Sequence, residues 1–268
     1  MNTLNSFLPA LSSILQRAIG IFVVYLCSKL LGDTDFADFA IAKATISNFM
    51  IASNAGAVIL STKFYSNIKL GNVAELTLRG VYTSLAAYVL LFFFLFNLFV
   101  ILSFEDTRAM LSVVLMSIVF IFTAYNSFKY GKSIAENKIH RYIKSSLLSV
   151  IICLPLVFFS IKSYGYTGAV FSYIIFPFSM SLILGYNSDK ILLTIPRKNH
   201  INIFWNTGIK NQLSGLVNVC GVLFMYYYLR HFVEDVRGVK YLDILILFQG
   251  LVLLLTSSFS TVLLPKLI

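Results

Sequence analysis

Three basic residues, Arg17, Lys43 and Lys210, interrupt stretches of sequence that are otherwise apolar. A charged side chain at the centre of a bilayer costs about 2.5–3.5 kcal/mol on insertion scales, so each of these residues needs a reason to be there. Lys43 is near the end of its stretch, where its side chain can extend to the interface, whereas Arg17 lies deep within its own. Arginine binds phosphate through a bidentate fork and lysine as a point charge. The three residues therefore point to an anionic, phosphate-bearing ligand.

Polar and small residues accompany each cation at spacings of three or four residues, which places them on one face of a helix. The sets are Ser13, Arg17, Gly20 and, with Val24 intervening, Ser28; Lys43, Ser47 and, two turns further, Asn54, with Asn48 beside them; and Thr207, Asn211, Ser214, Asn218 and Gly221, flanked by Lys210. Packing between membrane helices explains the small and amide residues, but it does not explain a guanidinium group. We therefore predict a hydrated cationic cavity whose ligand contacts are Arg17, Lys43, Lys210, Asn48, Asn54, Asn211 and Asn218.

Eight apolar stretches hold these residues. Of the 268 residues, 58% are hydrophobic and 12% are charged, with a mean hydropathy of +0.84, whereas a soluble protein carries about 25% charged residues. A transmembrane helix needs about 20 apolar residues, and the candidates are Phe7–Leu31, Phe39–Leu60, Val81–Phe104, Met110–Phe128, Ser146–Ile161, Gly168–Tyr186, Phe204–Leu229 and Ile244–Leu264. Residues 88–102 lack the strict alternation of a barrel strand. We predict an all-α integral membrane protein of about eight transmembrane helices.

None of the eight stretches contains an aspartate or a glutamate. The sequence therefore predicts no internal counter-ion for Arg17, Lys43 or Lys210, and a bound anion would have to neutralise them. The same absence argues against a proton relay built on an embedded carboxylate.

The net charge of +10 is distributed unevenly among the predicted loops. Most basic residues, including Lys129 and Lys132, fall in the loops that share a side with the N-terminus, while the acids Asp33, Asp35, Asp38, Glu105, Asp106, Glu234, Asp235 and Asp243 lie on or near the other side. Lysine and arginine in short loops mark the cytoplasmic side, so we predict that both termini are cytoplasmic. Anionic membrane lipids are the expected neighbours of the basic loops, and no nucleic-acid partner is needed to explain them.

Signatures of enzymes and metal sites are missing from the sequence. It contains no G-x-S-x-G, H-E-x-x-H or Walker A motif. Cys27, Cys153 and Cys220 fall in different apolar stretches without ligand spacing, and the three histidines fall in separate loops. We therefore expect no catalytic activity, no cofactor and no metal.

Four segments carry a resemblance to a known family. They are SSILQRAIGIFVVYLCSKLLGDTDFADFAIAKATISNF near the start, where a Leu-Gly-acidic turn joins the first two stretches, then SNAGAVILSTKFYS, GKSIAENKIHRYIKSSLLSV and SSFSTVLLPKL. In these segments and in its loop layout the chain resembles the polysaccharide flippases, or O-antigen translocases, of the multidrug/oligosaccharidyl-lipid/polysaccharide exporter superfamily.

The resemblance implies a V-shaped transporter of two six-helix lobes around a central cavity. Such a protein flips undecaprenyl-pyrophosphate-linked oligosaccharide units across the bacterial inner membrane during polysaccharide and O-antigen synthesis. On this template residues 1–189 form the first lobe, residues 190–202 a basic cytoplasmic linker, and residues 203–268 helices 7 and 8 of the second lobe. The rest of that lobe is missing, so the expectation is a truncated product, a fragment, or a chain completed by a second one.

Two other functions remain open at the level of the sequence. The first is a non-transporting membrane component of a polysaccharide assembly complex, with a polymerase or another assembly protein as its partner. The second is a multidrug-type exporter. Three embedded cations without an embedded carboxylate favour an anionic lipid head over a cationic drug.

Overall fold

The computed structural model describes residues 3–67, 72–104, 106–186, 194–210, 221–222, 224–230, 232–233, 235–246 and 248–249. At several positions in the first helix and around residue 70, Arg17 among them, it describes the backbone alone. All regular structure in these ranges is helical, which confirms the predicted all-α fold. The helices are α1 (Thr3–Leu30), α2 (Asp33–Asn54), α3 (Ala57–Asn67), α4 (Asn72–Ser103), α5 (Thr107–Ser117), α6 (Val119–Ala135), α7 (Ile139–Tyr186) and α8 (Lys198–Ile203). A π-helical turn (Phe204–Ile209) follows α8 directly, and residues 224–230 and 236–246 are also helical.

The helices divide two of the predicted stretches and join two others. The second stretch breaks between α2 and α3, where Ala55 (φ 42°) and Gly56 (φ 68°) adopt left-handed backbone conformations. The fourth stretch becomes α5 and α6, which meet at Ile118. The fifth and sixth stretches are both part of α7, whose direction changes at Gly165 (φ 54°, ψ −126°). Glycine has no Cβ and reaches a positive φ without steric cost, so Gly56 and Gly165 suit these bends.

Four helical segments of the described chain are long and apolar enough to cross a membrane. They are Asp33–Tyr65, Thr77–Ser103, Thr107–Ala135 and Ile139–Tyr186, and Ala18–Leu30 is a shorter apolar helix. The outward face of α4 is apolar, with Phe94 and Leu102 exposed by 66% and 77%. Such a face suits contact with lipid hydrocarbon rather than water. The length and character of these helices fit a multi-pass membrane protein.

The first half of α2 lies at the centre of the packing. Phe36 and Phe39 of α2 are fully buried in one apolar cluster with Phe120 of α6, while α1 packs along α7 and α3 along α6. We call α1–α7 the early helices and the described residues between 198 and 249 the late segment. The predicted division into 1–189, 190–202 and 203–268 stays a prediction, as does the cytoplasmic position of the termini.

Candidate functional site

A cavity of about 640 Å³ lies among α1, α2, α6 and α7. Helix α2 contributes Lys43, Ser47, Met50 and Asn54, which are three or four residues apart and so line it with one face. Other helices add polar groups to the wall: Thr123, Asn126 and Ser127 from α6, and Ser172 and Tyr173 from α7. The eleven-residue separation of Lys43 and Asn54 corresponds to about 16 Å along the helix axis. The cavity is therefore elongated along α2 and has its cation at one end.

The structure brings together part of the predicted cationic site. Lys43 and Asn54 line the cavity together with Gly20 of α1. Asn48 is partly buried beside this face, and its Nδ2 has no hydrogen-bond partner among the described residues. The cavity lining does not include Lys210, which is exposed at the end of the π-helical turn.

Three predicted contacts, Arg17, Asn211 and Asn218, lie outside the described side chains. Arg17 is part of α1, three residues before Gly20, but its side chain is outside the part of the chain that the structure describes. Asn211 and Asn218 lie outside the described residues altogether. The roles of these three residues stay predictions.

Lys43 has an internal counter-ion. Its Nζ lies 2.5 Å from Oδ1 of Asp243 and donates a hydrogen bond of 2.6 Å to Oδ2. The hydroxyl of Tyr226 donates to Oδ1 of the same carboxylate at 2.6 Å. The side chain of Asp243 is 1% exposed and that of Lys43 12% exposed. The expectation that no carboxylate neutralises the embedded cations is therefore wrong for Lys43.

Sequence reasoning missed Asp243 because the eighth apolar stretch was expected to begin after it, at Ile244. The helix instead covers residues 236–246 and carries the aspartate inside. A signal was present in the sequence: Val236, Val239, Asp243 and Ile246 are three or four residues apart, which puts them on one helix face. Val239 is fully buried, and Ile246 reaches the cavity wall. The aspartate therefore belongs to the inward face of this helix.

Beyond Lys43 the cavity becomes less charged. Ser47, one helical turn further along α2, forms a hydrogen bond of 2.7 Å with the hydroxyl of Tyr173. At the far end, Oδ1 of Asn54 is buried and has no hydrogen-bond partner within the described ranges. A buried polar atom without a partner costs about 1–3 kcal/mol, so this end of the cavity suits water or a hydroxyl-bearing ligand.

Two further ion pairs continue outward from Lys43 along α2. Asp38 accepts a hydrogen bond of 3.0 Å from Arg230. Asp33 accepts one of 3.0 Å from Lys240 and lies 3.8 Å from Arg237. Both aspartates are on α2, and Arg230, Arg237 and Lys240 are in the late segment. The two aspartates were expected on or near the outer side, and the structure places them in the first two turns of α2.

Lys129 and Lys132 differ from the prediction in a similar way. They were expected in an inner loop, but α6 extends to Ala135 and buries both of them. Nζ of Lys132 lies 3.6 Å from Oε1 of Glu136 and 4.9 Å from the centre of the Tyr65 ring. Hydropathy marks where apolar residues end and not where the helix ends, so it places such residues in a loop. Neither lysine is part of the cavity lining.

A second cavity of about 620 Å³ lies on the other side of α2, against α4 and α5. Phe49, Phe96 and Val100 supply apolar walls, and the Asp38–Arg230 ion pair borders it. Within the described residues, no group of three or more histidine, cysteine, aspartate or glutamate side chains is placed to hold a metal ion.

Comparison with known proteins supports the fold. No protein-family model matches the chain, and no curated protein matches it. A similar solved structure is the inward-facing conformation of a multidrug resistance MATE family transporter of the MOP superfamily. The TM-score is 0.58 at 14% identity, and the match covers 87% of this chain and 56% of that chain. The chain thus has the fold of a membrane transporter over little more than half of the transporter's length.

Proposed function

We propose that this chain is part of a membrane transporter that flips a lipid-linked, pyrophosphate-bearing oligosaccharide across the bacterial inner membrane. The observation that carries the proposal is the elongated cavity, in which one face of α2 presents a lysine at one end and an amide oxygen at the other. That oxygen has no hydrogen-bond partner in the described part of the chain. A lysine suits a phosphate group, and amide and hydroxyl groups suit a sugar. The fold shared with a MATE family transporter supports transport as the activity.

A multidrug-type exporter is the second candidate, and one observation favours it. Asp243 supplies a buried carboxylate beside the cavity, and Met50, Phe176 and Met180 give the wall a partly apolar character. An acidic group among apolar side chains suits a cationic, hydrophobic drug. The similar solved structure is itself described as a multidrug resistance transporter, so the fold does not separate the two candidates.

The test is lipid movement by the full chain reconstituted in liposomes. A fluorescent polyprenyl-pyrophosphate disaccharide reports flipping through its protection from an impermeant quencher, and uptake of a fluorescent organic cation is measured in parallel. We expect the anionic lipid to move, and Lys43→Met to slow it roughly ten- to hundredfold, since a charge-assisted contact contributes about 1.5–3 kcal/mol. Lys138→Met is the matched control, because the Lys138 side chain is about half-exposed, pairs with Glu136 and is not part of the cavity wall.

Each other outcome selects a different function. Uptake of the cation without movement of the lipid would replace the flippase with the drug exporter. Movement of neither would contradict transport by this chain and favour the non-transporting component of a polysaccharide assembly complex.

A further inference from the structure

Three layers of ion pairs fasten α2 to the late segment at one end of the main cavity. Their members on α2 are Asp33, Asp38 and Lys43, five residues apart, so that successive layers are about 7.5 Å apart along the helix axis. Burial increases toward the cavity. The side chain of Asp33 is 47% exposed and that of Asp38 23%, while Lys43 is 12% exposed and its partner only 1%. We call this set the ion-pair series.

The innermost layer differs from the others because it belongs to the cavity as well. Lys43 is part of the cavity wall, and Asp243 lies behind it, hydrogen-bonded to Tyr226. An anion that enters the cavity therefore reaches the lysine before it reaches the aspartate. The same ammonium group serves the ion-pair series and the cavity.

For α2 to separate from residues 236–246, the ion pair of Lys43 and Asp243 must break first. Two charges in a buried pair stabilise each other, but a buried charge that loses its partner is strongly unfavourable. The outer layers are closer to water, which replaces a lost partner easily. The buried layer therefore opens readily only when another group takes the place of one partner.

We propose that Asp243 is an internal counter-ion which a phosphate-bearing ligand displaces from Lys43, and that this exchange releases α2 from the late segment. The inference rests on the proposed function, because it takes the ligand to be anionic. Before a ligand binds, Asp243 makes this end of the cavity electrically neutral. Ligand binding and opening of the ion-pair series are then one event. A neutral or cationic ligand gives Lys43 no substitute partner and leaves the series closed.

A native thiol reports this opening. Cys27 of α1 is fully buried in the same apolar cluster as Tyr226 and Val239 of the late segment. With Cys153 and Cys220 replaced by alanine, Cys27 is the remaining cysteine of the chain. The rate at which a small maleimide labels it in the full chain, held in lipid nanodiscs, measures how often this region opens. Inorganic pyrophosphate is the probe.

We expect pyrophosphate to raise the labelling rate of the parent protein about tenfold, which corresponds to a shift of about 1.4 kcal/mol in an opening equilibrium. Asp243→Asn should label rapidly without pyrophosphate. The charge-exchanged variant Lys43→Asp with Asp243→Lys should regain protection, which separates loss of the ion pair from loss of folding. Asp35→Asn is the control, because Asp35 is on the same helix but pairs with Arg108 of the early helix α5. It should behave like the parent protein.

An unchanged rate with pyrophosphate in the parent protein would overturn the proposal. So would equal acceleration in Asp35→Asn and Asp243→Asn. The measurement needs no transport, so a protein that opens with pyrophosphate but moves no lipid would contradict the flippase and leave the exchange standing.

Discussion

Two of the contacts between the late segment and the early helices have opposite chemistry. Near the start of α2 the contact contains ion pairs, with Asp33, Asp38 and Lys43 each paired to a residue of the late segment. Apolar packing that includes Tyr226 and Val239 accompanies them. Beyond the end of α2 the contact consists of close backbone approach. Gly56 and Gly208 touch so closely that a Cβ on Gly56 would lie 2.9 Å from the Cα and carbonyl oxygen of Gly208. Apolar side chains, including the buried Phe204 and Leu60, surround this glycine contact.

The difference indicates which contact is able to change. An ion pair separates when each charge finds another partner, and the cavity beside Lys43 offers room for one. Closely packed backbone offers no substitute partner, and interiors resist rearrangement because they are packed to high density. We therefore expect the glycine contact to hold its position while the ion-pair series opens. The four predictions below test this contrast, and the first three run from the largest effect on stability to the smallest.

The largest effect is expected from breaking the buried ion pair on one side only. Asp243→Ala leaves the ammonium group of Lys43 without its partner and should lower the free energy of unfolding by about 3–5 kcal/mol. Replacing both residues with apolar ones, Lys43→Met and Asp243→Leu, should cost much less, because no charge is left buried. Thermal unfolding in detergent measures both. If the single and double variants lose equal free energy of unfolding, the ion pair does not determine the stability of this contact.

A smaller loss is expected at the glycine contact. In Gly208→Ala the new Cβ would lie 2.4 Å from the carbonyl oxygen of Ala55, and overpacking of this kind costs about 1–3 kcal/mol. Gly221→Ala is the matched control in the same segment, because no atom of the described residues lies within 4 Å of its Cβ position. The same unfolding assay should show a lower midpoint for Gly208→Ala alone. Equal midpoints would mean that the close approach at Gly208 leaves room for a Cβ atom.

Only a slight effect is expected in the middle layer of the ion-pair series. The coupling between Asp38 and Arg230, measured by a double-mutant cycle of Asp38→Asn and Arg230→Gln, should be about 0–1 kcal/mol. It should also fall as salt is added, because screening acts mainly on charges near water. A coupling as strong as that of Lys43 and Asp243, or one that is independent of salt, would contradict the expectation that coupling increases with burial along the ion-pair series.

The helices and one face of the site were predictable from the sequence, because both depend on local pattern. Apolar stretches indicated the membrane helices, and the spacing of Lys43, Ser47 and Asn54 indicated a polar face that lines the cavity. Helix ends were less predictable, because helices continue through polar residues. That is why Lys129, Lys132 and Asp243 were assigned to loops.

The contacts that join distant parts of the chain were not predictable. Lys43 and Asp243 are 200 residues apart, and no local pattern specifies that pairing. The approach of Gly56 to Gly208 depends likewise on how the late segment lies against α3. One sequence reveals which residues share a helix face, but the partner across the interface comes from the tertiary fold.

The affinity of the site for an anion tests the central claim most directly. If Asp243 competes with the ligand for Lys43, its removal should strengthen anion binding, although removing an interaction usually weakens a site. Asparagine keeps an oxygen that can accept the hydrogen bond from Tyr226, so Asp243→Asn is the variant to measure. Binding of polyprenyl pyrophosphate to the full chain, followed by calorimetry, should be about tenfold tighter in Asp243→Asn than in the parent protein.

Lys43→Met should bind the same lipid about ten- to hundredfold more weakly than the parent protein, and the double variant with Asp243→Asn should resemble Lys43→Met. Asp35→Asn removes an equal charge at an exposed pair, so it measures the effect of net charge alone. Tighter binding by Asp243→Asn, beyond the change seen in Asp35→Asn, is the predicted result. Binding by Asp243→Asn that is equal to or weaker than that of Asp35→Asn would contradict the account.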